Sequence, residues 1–198
     1  MPDNYCLFDS PISPCAIAWR EAEVGCAVTH LVLPESTPEL TEERIARHAG
    51  ARRADPPAAI AALIARICAH LRGELDGLLD VPVDLSSANE FDRLVYDAAR
   101  RIPPGETRTY GDIAGVIASS VQSLASTLKL PVSRSVGQAL ARNPIPIIIP
   151  CHRVLAANGR LGGFSAPGAL RTKVRLLEIE RAKYPALLAF PPASERVS

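Results

Sequence analysis

Between residues 143 and 154 the chain reads Asn143-Pro144-Ile145-Pro146-Ile147-Ile148-Ile149-Pro150-Cys151-His152-Arg153-Val154. Each proline fixes φ and removes a backbone donor, so no regular helix runs through this segment. Ile147-Ile148-Ile149 is too short for a helix and too apolar for the surface. It is therefore predicted to be a buried extended segment. The rest of the fold must supply the core that covers it, and the prolines stiffen the approach to Cys151.

A chain of 198 residues is long enough to build that core, either as one large domain or as two small ones. Hydrophobic residues make up 47% and charged residues 22%, an ordinary globular balance. No apolar stretch is long enough to span a bilayer, so no membrane association is expected. The start, Met1-Pro2-Asp3-Asn4, has neither a basic nor an apolar leader region. Five cysteines (Cys6, Cys15, Cys26, Cys68 and Cys151) with no visible secretory signal point to a reducing, cytoplasmic setting and free thiols. The net charge of +1 hides an asymmetry. Residues 1–90 hold 7 Lys and Arg against 14 Asp and Glu, whereas residues 91–198 hold 15 against 7. A basic second half can approach a polyanion, although scattered solvated charges would give the same count.

In the first half, Ala16–Trp19 and Cys26–Leu33 are apolar runs parted by polar residues, the pattern of a β-hairpin in a small sheet. Residues 34–56 read as a loop with a short helix. Asp55 is expected to cap a helix with Pro56 and Pro57 in its first turn. Ile60, Leu63, Ile64, Ile67, Leu71, Leu75 and Leu78 would form its buried stripe, with Cys68 and His70 off centre. Residues 81–87 read as an extended linker between a sheet-plus-helix domain (1–80) and a mostly helical domain (88–183). Residues 184–198 form a Pro-rich tail.

In the second half, Ser87-x-x-Glu90 reads as a capping box, followed by Phe91, Leu94, Val95, Ala98 and Ile102 at helical spacing. Thr109 is expected to cap the next helix and Ser133 the one after, with Val136 and Leu140 inward. Two short helices joined by a turn are compatible with a helix-turn-helix, although the pattern alone favours an ordinary helix pair. Asn158-Gly159 marks a tight turn. A last helix, from about Ala169 to Ala182, would turn Leu170, Val174 and Leu177 inward. The fold class is thus α+β.

Cys151 is the residue with the clearest chemical promise, since His152 and Arg153 follow it and a nearby histidine or cation activates a thiol. In an extended strand, however, neighbours point to opposite faces. Cys151 and His152 cooperate only if the backbone bends there or a water bridges them. Taken alone, the pair reads more readily as a buried structural thiol beside a surface histidine. Cys26 and His30 share a strand face, with Cys6 as a possible third ligand. Without a close Cys-x-x-Cys, no metal site is expected.

The proline-bracketed segment closely resembles the active-site signature of the O6-alkylguanine-DNA alkyltransferases. The resemblance extends through Gly105–Ala114, Ser135-Val136-Gly137-Gln138-Ala139-Leu140, Gly159–Ser165 and Leu176-Leu177-x-x-Glu180, covering residues 88–182. Proteins of this kind that bind lesions without transfer typically carry tryptophan where this chain has Cys151. Residues 1–80 match by layout only.

That resemblance implies a DNA repair transferase with no cofactor and no metal, a monomer acting on double-stranded DNA from the minor groove. Cys151 would accept the alkyl group irreversibly from O6-alkylguanine, and possibly from O4-alkylthymine. His152 would withdraw the thiol proton through water, and Glu180 would orient His152. Asn143 would order the active-site turn. Tyr110 would help rotate the nucleotide and protonate the departing guanine. Arg134 would fill the gap left by the flipped base, with Ser135, Gly137 and Gln138 on the same DNA-facing helix. Gly163, Phe164 and Ser165 would line the base pocket. This chain departs from the family in a longer connection over Val116–Val132, including Ser-Ser-Val-Gln-Ser-Leu-Ala-Ser, and in Ser165-Ala166-Pro167-Gly168 where many members have Ser-Gly-Gly.

Overall fold

The computed structural model describes residues 3–23, 25–121, 131–162 and 170–183. The tail, the greater part of the insertion and the Gly163–Ser165 segment lie outside the described residues. Among the described residues the architecture is α+β, with a four-stranded sheet, a separate two-stranded pair and six α-helices.

The sheet has order β3-β2-β1-β4 and consists of β1 (Asn4–Phe8), β2 (Cys15–Glu21), β3 (Cys26–Val32) and the short β4 (Arg52–Arg53). β2 pairs antiparallel with both β1 and β3, and β4 joins β1 in parallel. Every residue from Cys15 to Trp19 is buried, because the sheet is covered on both faces. The side-chain period of two still holds. Ile17 and Trp19 face the main core with Cys6 and Phe8, while Ala16 and Ala18 lie with Tyr5, Val32 and Ile45 under a helix.

That helix, α1 (Pro38–Ala49), fills the region expected to be mostly loop. Its boundaries are well marked. The Thr37 hydroxyl accepts from Leu40 N, Pro38 takes the first position, and Gly50 ends it in the left-handed conformation. Few apolar residues are needed to pack on alanines, so its stripe is weak.

α2 (Ala58–Leu71) starts at Pro57, and its first turn has no side-chain cap, so Asp55 does not serve as one. It also stops earlier than the stripe suggested. Gly73 at φ 96° leaves the helical region, Leu75 is 43% exposed, and Leu78 returns to the core only through a left-handed backbone at φ 51°. Residues 82–85 are extended but do not hang free, and a turn closed by Ala88 N donating to Leu85 O at 3.0 Å follows them. Val28 N donates to Pro82 O at 2.9 Å and Asp84 N to Val28 O at 2.8 Å. Arg20 clasps Asp3 and Asp84 at 2.8 and 2.7 Å.

α3 (Glu90–Arg100) is capped by Asn89, whose side chain accepts from Asp92 N at 2.8 Å, and not by Ser87. At the start of α4 (Tyr110–Val121), Asp112 N donates to the Thr109 hydroxyl while Thr109 N donates to Asp112, the reciprocal cap expected there. α5 (Val132–Ala141) begins after Pro131, which places Ser133 inside the helix instead of at its cap. Val136 and Leu140 are buried as expected. α4 and α5 pack on each other and on α3. Last comes α6 (Leu170–Ile179), shorter than expected; Leu177 is buried, but Leu170 is 41% exposed and does not face inward. One continuous apolar cluster runs from Cys6 through Ile67, Val95 and Ile147 to Leu176, joining both halves of the chain.

Candidate active site

The three isoleucines are buried, but they are not extended. Ile149 N donates to Ile145 O at 2.8 Å, and Ile147 sits at φ 74°, so the chain folds back on itself in a turn. A β-branched residue in the left-handed region is strained, and persists only where its surroundings over-determine it. Asn143 supplies much of that constraint. Its amide donates to Ile149 O at 2.8 Å and its carbonyl accepts from Ile145 N at 2.9 Å, clamping both ends of the turn.

Beyond Pro150 the backbone enters a single 3-10 turn, Cys151–Arg153, with Arg153 N donating to Pro150 O at 2.9 Å. Successive side chains in such a turn are rotated by about a third of a circle. The objection to cooperation between Cys151 and His152 therefore disappears. The alternative of a surface histidine also fails, because His152 is fully buried. β5 (Arg108–Thr109) and β6 (Val154–Leu155) pair in parallel, fixing this turn beside the start of α4.

Glu180, at the end of α6, is the electrostatic centre of the site. His152 Nε2 lies 2.9 Å from Oε1. Arg153 grips both oxygens, with Nε 2.9 Å from Oε2 and Nη2 2.7 Å from Oε1, and its Nη1 donates to Ile102 O at 2.6 Å. Gly105 N donates to Oε2 at 3.4 Å, and a side chain at Gly105 would meet the Glu180 carbonyl. Burial pushes the Glu180 carboxyl up, but the bonds from His152, His70 and Arg153 more than offset this and hold it well below the usual carboxylate range. A carboxylate only accepts, so His152 carries its proton on Nε2. The Nδ1 lone pair remains, buried and with no hydrogen-bond partner among the described residues. Burial lowers the pKa of His152 despite Glu180, so the ring is a neutral base near pH 7.

Cys151 is 8% exposed, at the floor of a 780 Å³ cleft between Tyr110, Gly137 and Ala157. Burial raises its thiol pKa, against the opposing pull of Asn143 and the charge of Lys173. Lys173 is itself buried, donates to Val154 O at 2.7 Å, and is lowered by burial to about 8. The resting nucleophile is therefore a thiol, and it needs a base to become a thiolate. Tyr110 is half-buried on the same cleft. Burial and then Cys151 raise its pKa, which keeps it a phenol able to donate. Gly162 at φ 64° passes so close that a Cβ there would stand 2.9 Å from the Tyr110 hydroxyl.

Arg134, Gly137 and Gln138 line the cleft from α5, with Arg134 exposed. Ser135 is 7% exposed and does not line it. Gly163, Phe164 and Ser165 lie outside the described residues. Cys151, His152, Glu180, Tyr110 and Asn143 thus come together from four separate stretches of chain. His70 and Lys173 join them without having been singled out, and Arg153, expected only as a cation near the thiol, binds Glu180. Arg153 was in plain view in the motif, but nothing in the spacing tied it to residue 180. Among the described residues, no cluster of His, Cys, Asp and Glu is arranged to hold a metal ion.

Residues 90–182 match the family model described as the DNA-binding domain of 6-O-methylguanine DNA methyltransferase. The methylated-DNA–protein-cysteine methyltransferase of Mycobacterium tuberculosis (strain H37Rv) is 34% identical over 183 residues, 92% of this chain and 95% of the relative.

The chain belongs to the methylated-DNA–protein-cysteine methyltransferase family.

An archaeal methyltransferase of the same name, from Methanosarcina acetivorans, is 34% identical over 176 residues, covering 89% of this chain and 97% of its own length. The crystal structure of Mycobacterium tuberculosis OGT in complex with DNA superposes with a TM-score of 0.64 at 34% identity, covering 90% of this chain and 94% of that one. Unlike the family model, these methyltransferases align with the sheet-bearing first half as well as the helical second half. The resemblance carried by the second half thus extends to nearly the whole protein.

Proposed function

We propose that this methyltransferase removes the alkyl group from O6-alkylguanine in duplex DNA and keeps it on Cys151, each molecule acting once. The reading rests chiefly on one observation. A buried, protonated thiol sits beside a neutral histidine whose Nε2–H is committed to Glu180 and whose Nδ1 lone pair is unengaged. That is the nucleophile–base–orienter arrangement of thiol transferases.

In this mechanism His152 Nδ1 takes the Cys151 proton through a water. The thiolate attacks the alkyl carbon; a carbon–sulfur bond forms as the carbon–O6 bond breaks, and the electron pair stays on the guanine. Tyr110 gives that guanine a proton, and the proton held on His152 restores balance. The product is a thioether, which no thiol reduces, so the protein is consumed. Asn143 holds the turn that aims the sulfur. O4-alkylthymine presents similar chemistry and is a second substrate of the same reading.

A guanine in a duplex must leave its stack to reach Cys151, at a cost of about a few kcal/mol. We assign α5 to the minor groove, with Gly137 and Gln138 against the backbone and Arg134 inserted where the base departs, offsetting the lost stacking. The reading treats residues 1–80 and 88–183 as two domains joined at 81–87 in a monomer, working in the cytoplasm or on a bacterial nucleoid. No helix among the described residues is long and apolar enough to cross a membrane.

The test is intact-mass spectrometry after incubation with duplex DNA carrying O6-methylguanine. One methylene unit should be gained per molecule, located on Cys151 and absent from Cys151→Ser. An unmodified Cys151, or repeated turnover by one molecule, would refute the proposal.

A further inference from the structure

His70 belongs to the last turn of α2, in the first half of the chain, yet its ring lies in the same buried cluster as Glu180. Nε2 is 3.1 Å from Glu180 Oε1, the very oxygen that lies 2.9 Å from His152 Nε2. On the other side of the ring, Asp76 N donates to Nδ1 at 3.1 Å. A nitrogen that accepts an N–H must offer a lone pair, so the His70 proton resides on Nε2 and points at Glu180. A second ring proton would confront the Asp76 N–H. His70 is therefore a fixed donor to Glu180.

Packing of α2 does not require this residue. Ile60, Leu63, Ile67 and Leu71 bury its apolar face. The other charged groups around the pair have their own partners. Arg153 approaches Glu180 from the 3-10 turn, Arg66 engages the Asp76 carboxylate, and Lys173 lies towards Cys151.

We propose that His70 is a positioning residue for alkyl transfer: it holds Glu180 Oε1 in place and shares that oxygen's charge with His152. The inference rests on Cys151 being the acceptor. A carboxylate oxygen divided between two donors pulls less on each. Without His70, Glu180 would bind the His152 N–H more strongly and raise the proton affinity of the imidazole. The carboxylate would also be freer to move. The first half of the chain thereby takes part in setting the base.

Two probes test this, DNA carrying O6-methylguanine and free iodoacetamide, with modification of Cys151 followed by peptide mass spectrometry from about pH 5 to pH 9. In His70→Phe the acid-limb midpoint should rise by about half a unit to one unit with both probes. Transfer from DNA should slow by about tenfold while DNA affinity stays unchanged. His70→Gln, whose amide N–H can still reach Glu180, should restore both. Damage of a merely structural kind would lower rate or affinity and leave the midpoint in place. An unmoved midpoint towards iodoacetamide in His70→Phe, or a His70→Gln shifted as far as His70→Phe, would overturn the proposal. Should His70→Phe not fold, imidazole 15N spectra of the unmutated protein decide. An Nε2–H on the rings of both His70 and His152 is expected, and an Nδ1–H on His70 refutes the inference. Failure of the unmutated protein to take methyl from DNA would refute the parent reading alone, because the iodoacetamide and spectroscopic results do not depend on it.

Discussion

Replacing Glu180 with glutamine keeps the volume and removes the charge. One end of the new amide can still accept from His152 or His70, but its other end is a donor. Arg153 presents N–H groups to both oxygens, at 2.9 and 2.7 Å, so a donor now faces a donor. The guanidinium stays fully buried with its counter-charge gone. Breaking a buried pair by removing one partner costs about 3–5 kcal/mol. At about 2–4 °C per kcal/mol for a chain of this size, Tm should drop by roughly 10 °C. The chemical loss should be larger. Without the carboxylate, His152 is no longer held in the tautomer that leaves Nδ1 free, and loss of such an orienter costs roughly 10³–10⁴-fold in rate. The assay is single-turnover transfer from methylated DNA, quenched at successive times, alongside thermal unfolding. Adding Arg153→Met should recover part of the lost Tm, since both charges are then gone, while transfer stays slow. Glu180→Gln with a near-normal rate would refute the proton relay, and an unchanged Tm would refute the energetic role of the buried pair.

Gly162→Ala meets two obstacles, a φ of 64° and a Cβ 2.9 Å from the Tyr110 hydroxyl. It should cost about 1–2 kcal/mol in stability from the backbone alone and slow transfer by displacing Tyr110; equal rates in stopped-time assays would contradict the close packing. Arg134→Ala, at an exposed position, should change stability by less than about 0.5 kcal/mol. It should weaken DNA binding and slow transfer, because the group that fills the gap left by the flipped base is removed, and an unchanged affinity in fluorescence titrations would take Arg134 away from that gap. Acid should destabilise the fold in two steps. The folded pKa of His152 is lowered below 6.5, so its contribution is complete above that value and shrinks as pH falls below it, where the unfolded chain binds the extra proton. Glu180 follows the same sign in the range below 4.5, again because its folded pKa is depressed. Urea midpoints that stay flat from neutral pH into that range would count against both assignments.

Much of this was legible in the chain because the signals were local. The Thr109–Asp112 cap and the Asn158-Gly159 turn, where both residues have positive φ, depend on neighbours a few positions apart. The failures share the opposite character. α2 ends at Leu71 because Gly73 turns the backbone, yet Leu75 and Leu78 continue the stripe by coincidence of spacing. Ser87-x-x-Glu90 has the letters of a capping box, but Asn89-x-x-Asp92 lies two residues later, and there Asp92 also meets Arg142 at 2.8 Å. Ile147-Ile148-Ile149 had the composition of a strand. Its turn is imposed by Asn143, which no β-propensity reports. The tie of Glu180 to Cys151 and His152 was recognisable by resemblance alone, since 28 positions separate His152 from Glu180. His70 and Lys173 looked like ordinary helix residues because burial of a polar side chain is decided by distant segments.

The connection at residues 81–87 is hydrogen-bonded to Val28 and clasped by Arg20, so it behaves as an added edge of the sheet. A backbone cut just after it, between Ser87 and Ala88, would leave those bonds with the first fragment and the shared apolar core intact across the break. The two pieces should then stay together and remain active, and separately expressed halves should reassemble on mixing. Neither half alone would hold the complete Glu180 cluster, which makes recovered alkyl transfer a direct readout of their association.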